Sequence, residues 1–200
     1  MSARFVALAL VMGAARALAA APELELTLPP PGWTEQADPV PPGSKSQKSR
    51  YFVKNADPGT ELRVVSDPNL RLDYTLPVLK QIATRLVAAQ GKSTPLKASD
   101  PQLIDVGGIN VGTFQVVDDN RTSTLFYLPS ENGDRVLTYM VPAGHASELE
   151  QIIGVVKGAK NLRTADVFAN GPMIMGLMGA VSLGTLATVL FLMSRKKKAA

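Results

Sequence analysis

The chain has 200 residues, of which 46% are hydrophobic, and carries a formal net charge of +4. This length accommodates one soluble domain together with membrane segments, but not two domains of ordinary size. The chain contains no cysteine and a single histidine, which excludes disulfides, thiolate nucleophiles and metal sites built from clusters of Cys or His.

The positive charge is concentrated at the two ends of the chain. Arg4 and Arg16 fall within the first 19 residues and four more cations fall within the last six, whereas all 17 acids lie between these ends. Basic residues beside membrane segments determine topology, and the middle of the chain is slightly acidic. We therefore expect no nucleic-acid partner.

The N-terminus has the pattern of a signal peptide. Arg4 precedes an apolar run from Phe5 to Ala15, and Ala17-Leu18-Ala19 forms a small-residue cleavage motif. This pattern predicts a signal peptide over residues 1–19 that is removed on export, with an uncleaved anchor as the alternative.

Residues 20–168 form the predicted exported domain, and its first part indicates strands. Alternating polar and apolar residues predict a strand from Glu23 to Leu28, and Pro, Gly and Ser predict a loop from Trp33 to Ser49. Two further strands, Arg50 to Lys54 and Thr60 to Ser66, flank a turn at Asn55 to Gly59. These two strands are predicted to form a hairpin.

An amphipathic helix is predicted next, from Thr75 to Gln90. Thr75 is its expected N-cap and Gly91 its expected C-cap. The apolar positions that recur on one face and should pack on the sheet are Leu76, Leu79, Ile82, Ala83 and Leu86.

The rest of the domain is predicted to contain three strands and a second helix. The strands run from Ile104 to Asp118, Thr122 to Pro129 and Arg135 to Val141, with turns between them. The helix runs from Glu148 to about Leu162 after a Ser147-x-x-Glu150 capping box. The fold class is therefore α+β, a mostly antiparallel sheet packed with two amphipathic helices.

The C-terminus is predicted to cross a membrane once. After a linker at residues 169–172, Met173 to Met193 is a run of 21 uncharged residues, which as a helix spans about 31 Å, the thickness of a bilayer core. The basic tail at residues 194–200 should remain in the cytoplasm because of Arg195, Lys196, Lys197 and Lys198. A stripe of small residues at Gly176, Ala180, Gly184 and Thr188 would allow helix self-association, with the ordinary composition of a membrane helix as the alternative.

The order of elements resembles the Mog1/PsbP-like family over Leu24 to Leu162. The resemblance is carried by Pro31-Gly32-Trp33, the glycine-containing segment Gly107 to Phe114, the hairpin Thr124 to Tyr139 and the final helix. Members include photosystem accessory proteins, a nuclear-transport factor that binds a small GTPase, and bacterial envelope proteins. The resemblance implies a binding or scaffolding role, without a named partner or transferable site residues, and the predicted anchor departs from the soluble members.

Few residues qualify as candidate site residues. Trp33, the only tryptophan, either packs in the core or contacts a partner. His145 is expected on the surface before the last helix rather than as a general base, and Gly91-Lys-Ser-Thr94 lacks the first glycine of a phosphate-binding loop. Carboxylates that should accept local hydrogen bonds at two turns, with a weak calcium site as the alternative, are Asp118, Asp119, Glu131 and Asp134.

These observations predict a single-pass protein of the bacterial inner membrane, since an exported domain without cysteine suits the periplasm. The domain should be periplasmic and the C-terminus cytoplasmic, and we expect a binding or scaffold role toward another envelope protein, without catalysis, metal or cofactor. The alternative is an envelope hydrolase or a small-ligand or metal-binding domain that uses Asp118, Asp119 and Ser130.

Overall fold

The computed structural model describes residues 22–40, 43–89 and 96–164. The predicted signal peptide, the membrane span and the basic tail lie outside these ranges, and no helix within them has the length and apolar character needed to span a membrane. The elements are β1 (Trp33–Gln36), β2 (Lys48–Lys54), β3 (Asp57–Ser66), α1 (Leu76–Ala89), β4 (Lys97–Ala98), β5 (Gln102–Val106), β6 (Ile109–Val117), β7 (Arg121–Leu128), β8 (Arg135–Pro142) and α2 (Leu149–Lys157).

The described strands form one antiparallel sheet in the order β1-β2-β3-β8-β7-β6-β4, and β5 pairs with β6 on the same side as β4. Successive side chains of a strand point to opposite faces. Phe114 and Leu125 accordingly pack with α1, whereas Phe126 and Leu137 pack in the cluster that contains α2. The predicted α+β architecture is confirmed, with one helix on each face of the sheet.

The opening segment differs from its prediction. Leu24 is buried and Leu26 packs beside it, so the alternation is real, but a single bridge between Glu25 and Lys160 is the only pairing described for Glu23 to Leu28. The first strand instead begins at Trp33, inside the predicted loop, and pairs with β2. Strand formation here depends on which segment reaches the edge of β2, which local periodicity does not encode.

The long predicted strand from Ile104 to Asp118 is also wrong. Gly107 and Gly108 have φ angles of 62° and 85°, and two successive positive φ angles produce the tight type I′ turn of a hairpin. β5 and β6 are therefore antiparallel neighbours joined by this turn. The hairpin of β2 and β3 is confirmed, with a shorter turn at Asn55 and Ala56.

Both predicted helices exist, but α1 buries fewer residues and α2 is shorter than the sequence predicts. α1 buries four of the five residues predicted to face the sheet, but Leu76 is 48% exposed because it lies in the first turn of the helix. α2 begins after Glu148, which makes no side-chain cap, and ends at Lys157. The predicted capping box at Ser147 and the extension to Leu162 are therefore wrong.

Candidate functional site

An open groove of about 750 Å³ lies between α2 and the strands that α2 does not cover. We call it the α2 groove. Its helical wall is formed by Leu149, Glu150, Ile153 and Lys157, its floor by Thr113, Gln115, Thr124 and Phe126, and its opposite rim by Ser99, Asp100, Gln102, Ile104 and Asp105.

The groove runs along the whole length of α2. Its helical wall takes side chains from the first turn of the helix, Leu149 and Glu150, to its last residue, Lys157, because a single helix about 10 Å wide leaves the sheet beside it uncovered. Ile152 and Val156 are fully buried against the sheet, whereas Ile153 on the adjacent side of the helix is only half-buried and lines the groove.

The floor of the groove is polar where it meets β6 and β7. Thr113 and Gln115 of β6 lie on the same face as Thr124 of β7 because alternate residues share a face. The Gln115 side-chain amide donates to the Thr124 hydroxyl at 3.4 Å. Hydroxyl and amide groups beside half-buried aliphatic side chains suit a ligand that has both apolar and hydrogen-bonding groups.

The rim of the groove is acidic. The carboxylates of Asp100 and Glu150 and one cation, Lys157, lie around the opening. Asp105 alternates with Ile104 along β5, so its side chain lies on the other face, where the carboxylate accepts from the Gly108 N–H at 3.3 Å. Within the described parts of the chain, Asp100, Glu150 and Lys157 take part in no ion pair. Their charges are therefore available to a ligand.

Trp33 fastens α2 to the sheet from the side away from the groove. Its indole N–H donates to the Gln151 side-chain oxygen at 3.1 Å, and its ring meets the Tyr139 ring edge-on at 6.2 Å. The Tyr139 hydroxyl in turn accepts from the backbone N–H of Glu148 at 2.9 Å. Trp33 is 5% exposed, so the ring packs in the core and leaves little surface for a partner.

The predicted acidic turn residues lie at opposite ends of β7. Asp118 accepts from the backbone N–H groups of Asn120 and Arg121 at 2.8 and 2.7 Å, which is the local role expected at a turn. Ser130 follows the other end of β7, whose eight residues extend about 26 Å. The structure therefore does not bring Ser130 to Asp118 and Asp119, as the hydrolase alternative requires.

Asp134 belongs to a buried network and not to a surface site. Its carboxylate is 0% exposed and accepts from the Leu72 N–H at 2.8 Å, the Tyr74 hydroxyl at 2.9 Å and the Ser130 N–H at 3.0 Å. Burial raises the pKa of Asp134, although these donors and the nearby Arg163 act in the opposite direction. Burial also raises the pKa of Tyr74, which keeps this hydroxyl protonated as a donor.

Glu131, at the same turn as Asp134, is half-buried, and its backbone carbonyl accepts a hydrogen bond from Arg71. Across residues 22–40, 43–89 and 96–164, no group of three or more Asp, Glu or His side chains is arranged to hold a metal ion. The calcium alternative at these turns therefore finds no support in the described geometry.

His145 lies on the surface before α2, as predicted. Its Nδ1 is 2.8 Å from a carboxylate oxygen of Asp57, which also accepts from the Thr60 hydroxyl at 2.6 Å. The Thr60 hydrogen bond and then His145 lower the pKa of Asp57. No described hydroxyl hydrogen-bonds to Nε2 of His145, so the pair lacks the nucleophile of a catalytic triad.

The remaining sequence-predicted residues lie outside the described ranges. These are the phosphate-loop-like Gly91 to Thr94, the small-residue stripe from Gly176 to Thr188 and the cations Arg195 to Lys198. Their roles stay predictions.

Two solved structures resemble the chain at low identity. The solution structure of cyanobacterial PsbP (CyanoP) from Synechocystis sp. PCC 6803 is 14% identical, with a match that covers 66% of this chain and 83% of that one at a TM-score of 0.42. A crystal structure of a protein from Bacteroides thetaiotaomicron VPI-5482 is 15% identical, and the match covers 66% of this chain and 42% of that chain at a TM-score of 0.36. This chain thus spans less than half of the Bacteroides protein.

No protein-family model matches the chain, and no curated protein matches it either. The likeness to the two solved structures concerns the fold alone, because no site residue or partner transfers at such identities.

Proposed function

We propose that the chain is a membrane-anchored binding or scaffold protein of the bacterial envelope, which engages another envelope component through the α2 groove without catalysis. The observation that carries this proposal is the groove itself, with half-buried aliphatic side chains on one wall and charged side chains on its rim. Accessible apolar surface that is rimmed by polar groups is typical of interaction sites.

The predicted topology suits this role. The signal peptide at residues 1–19 would export the domain, and the span at Met173 to Met193 would hold it at the inner membrane. Eight residues separate Thr164 from that span, and even fully extended they reach only about 28 Å. The α2 groove would therefore stay within reach of partners in or near the same membrane.

Site-specific photo-crosslinking in living cells tests the proposal. A photoreactive amino acid replaces Gln102 or Glu150 in the groove of the full-length protein, or Lys80, which is exposed on α1 at the opposite face. We expect a discrete crosslinked product from the two groove positions and none from position 80. Equal products at all three positions, or none at the groove, would contradict a partner site here.

A pair of charge insertions on α2 strengthens this experiment. Ile153→Asp places a charge on the groove wall, whereas Val155→Asp changes a half-buried aliphatic residue of the same helix that does not line the groove. Only Ile153→Asp should remove the crosslink from position 102. Fluorescence of the single tryptophan, Trp33, reports whether each variant keeps α2 in place.

A further inference from the structure

The rim of the α2 groove includes a free strand edge. β5 pairs with β6 alone, and its hairpin closes at the pair Val106 and Ile109. In a two-residue hairpin the hydrogen-bonded pairs alternate from this closing pair, so the N–H and C=O groups of Leu103 and Asp105 point away from β6. No described strand lies on that side of β5.

A strand added to this edge would place its side chains in the groove. Gln102 and Ile104 of β5 line the groove, and side chains of adjacent strands stand side by side on one face at a spacing of about 4.8 Å. Every second side chain of an added strand would therefore lie on the groove face beside Ile104. The side chains between them would lie on the opposite face beside Leu103, which packs with the α1 cluster, and apolar residues fit those positions.

The charge of the rim selects the side chains on this groove face. Two rim carboxylates, Asp100 and Glu150, take part in no ion pair within the described residues and outnumber the single cation Lys157. An added segment with Lys or Arg at its polar positions would neutralise them. Residues 165–172 of this chain contain an acid and no cation, so they lack the complementary charge.

We propose that the α2 groove binds an extended peptide segment of a partner protein, which adds as a strand to the free edge of β5 and directs basic side chains to the acidic rim. This inference rests on the proposed function, whose partner it describes. Backbone hydrogen bonds to Leu103 and Asp105 would supply affinity, and alternate side chains in the groove would supply selectivity.

The test uses the full-length chain in phosphatidylcholine nanodiscs, which carry no net lipid charge. The probe is a pool of nine-residue peptides with Val, Ile, Leu or Phe at alternate positions and Lys or Thr between them, and a second pool has Glu in place of Lys. Peptides retained beyond those on empty nanodiscs are identified by mass spectrometry. We expect retention from the Lys pool, enriched in members with two or more lysines, and none from the Glu pool.

The tightest Lys peptide is then labelled and titrated by fluorescence anisotropy. N-methylation of every second residue can start at the first or the second residue of the peptide, which gives two frames. The frame that methylates the N–H groups facing β5 should weaken binding by about tenfold or more, because it removes the backbone hydrogen bonds to β5. The combined variant Asp100→Asn and Glu150→Gln should weaken binding by about fivefold or more. Glu25→Gln, an exposed acid outside the groove, should leave it unchanged.

Each contrary result overturns a defined part of the inference. No retained peptide, or equal retention of both pools, would refute a basic peptide ligand while in-cell crosslinks from positions 102 and 150 could still support a folded partner. Equal binding of both N-methylated frames would refute strand addition. Retention that appears only after residues 165–172 are replaced by Gly and Ser would show that the chain's own segment covers the edge.

Discussion

The buried carboxylate of Asp134 joins three segments of the domain, and removing it should destabilise the fold strongly. Asp134→Ala leaves the N–H groups of Leu72 and Ser130 and the hydroxyl of Tyr74 without their acceptor. It also leaves the guanidinium of Arg163, 3.5 Å away and 6% exposed, without one of its two carboxylate neighbours.

The expected magnitude follows from these losses. An unsatisfied buried donor costs about 1–3 kcal/mol, and breaking a buried ion pair from one side costs about 3–5 kcal/mol. The losses overlap because they concern one carboxylate. We therefore expect Asp134→Ala to lower the free energy of unfolding by about 3–5 kcal/mol in total. Asp134→Asn keeps an oxygen acceptor at the same place and should cost about 1–2 kcal/mol.

Urea unfolding of the full-length protein in a neutral detergent, followed by Trp33 fluorescence, measures both variants, since Trp33 is the only tryptophan and is buried. If the free energy of unfolding of Asp134→Ala lies within about 1 kcal/mol of the native value, the predicted role of Asp134 is refuted, because no buried donor then depends on this carboxylate. Such a result would mean that the segment around Tyr74 rearranges at little cost.

The pKa of Asp134 adds a pH dependence to this comparison. Burial raises its pKa above the ordinary value of 3.8, so the carboxyl favours folding fully below that value and loses this contribution as the pH rises through its folded pKa. Asn does not titrate. The stability advantage of the native protein over Asp134→Asn should therefore be largest near pH 4 and smaller near pH 7.

Three further predictions concern other parts of the chain. A Cβ on Gly112 would lie 2.5 Å from Leu79 of α1, so Gly112→Ala should cost about 1–3 kcal/mol in the same assay, and adding Leu79→Ala should cost less than the sum of the two. Protease added to spheroplasts should digest residues 20–168 and leave a small C-terminal fragment, and protection of the domain would contradict the predicted topology. In a membrane two-hybrid assay of the isolated span, the double variant Ala180→Leu and Gly184→Leu should lose most of its signal, whereas an unchanged signal would remove the helix stripe as an interface.

The sequence could predict the parts of the fold that depend on neighbours in the chain. The spacing of Leu79, Ile82 and Leu86 identifies the buried face of α1, because a helix repeats every 3.6 residues whatever it packs against. The turn between β7 and β8 is likewise visible in Asn132-Gly133, where Gly133 has a φ of 99°.

The two wrong strand predictions have different physical origins. The adjacent glycines at 107 and 108 suit a hairpin turn as well as a strand, and both have positive φ angles. β1 follows a run of prolines that favours a loop, and only its pairing with β2 makes the segment a strand. Pairing between distant segments is not encoded in local periodicity.

The candidate site was beyond sequence reasoning for the same physical reason. Asp134 does accept the local N–H of Ser130 expected at a turn, but its two shortest hydrogen bonds come from Leu72 and Tyr74, about 60 residues earlier in the chain. The α2 groove depends on how a nine-residue helix lies across the strands of the sheet. The composition of a single segment determines neither the partners of Asp134 nor the position of α2 on the sheet.

The position of α2 also determines how the groove would bind. The helix is fastened at its N-terminal half by Trp33 to Gln151, by Tyr139 to Glu148 and by an ion pair between Lys54 and Glu148. All three attachments are made by the chain's own residues, so the ordering of the helical wall does not depend on a ligand. Because ordering costs reduce affinity, a wall fixed in advance lets even a short strand on β5 gain most of the energy of its own contacts.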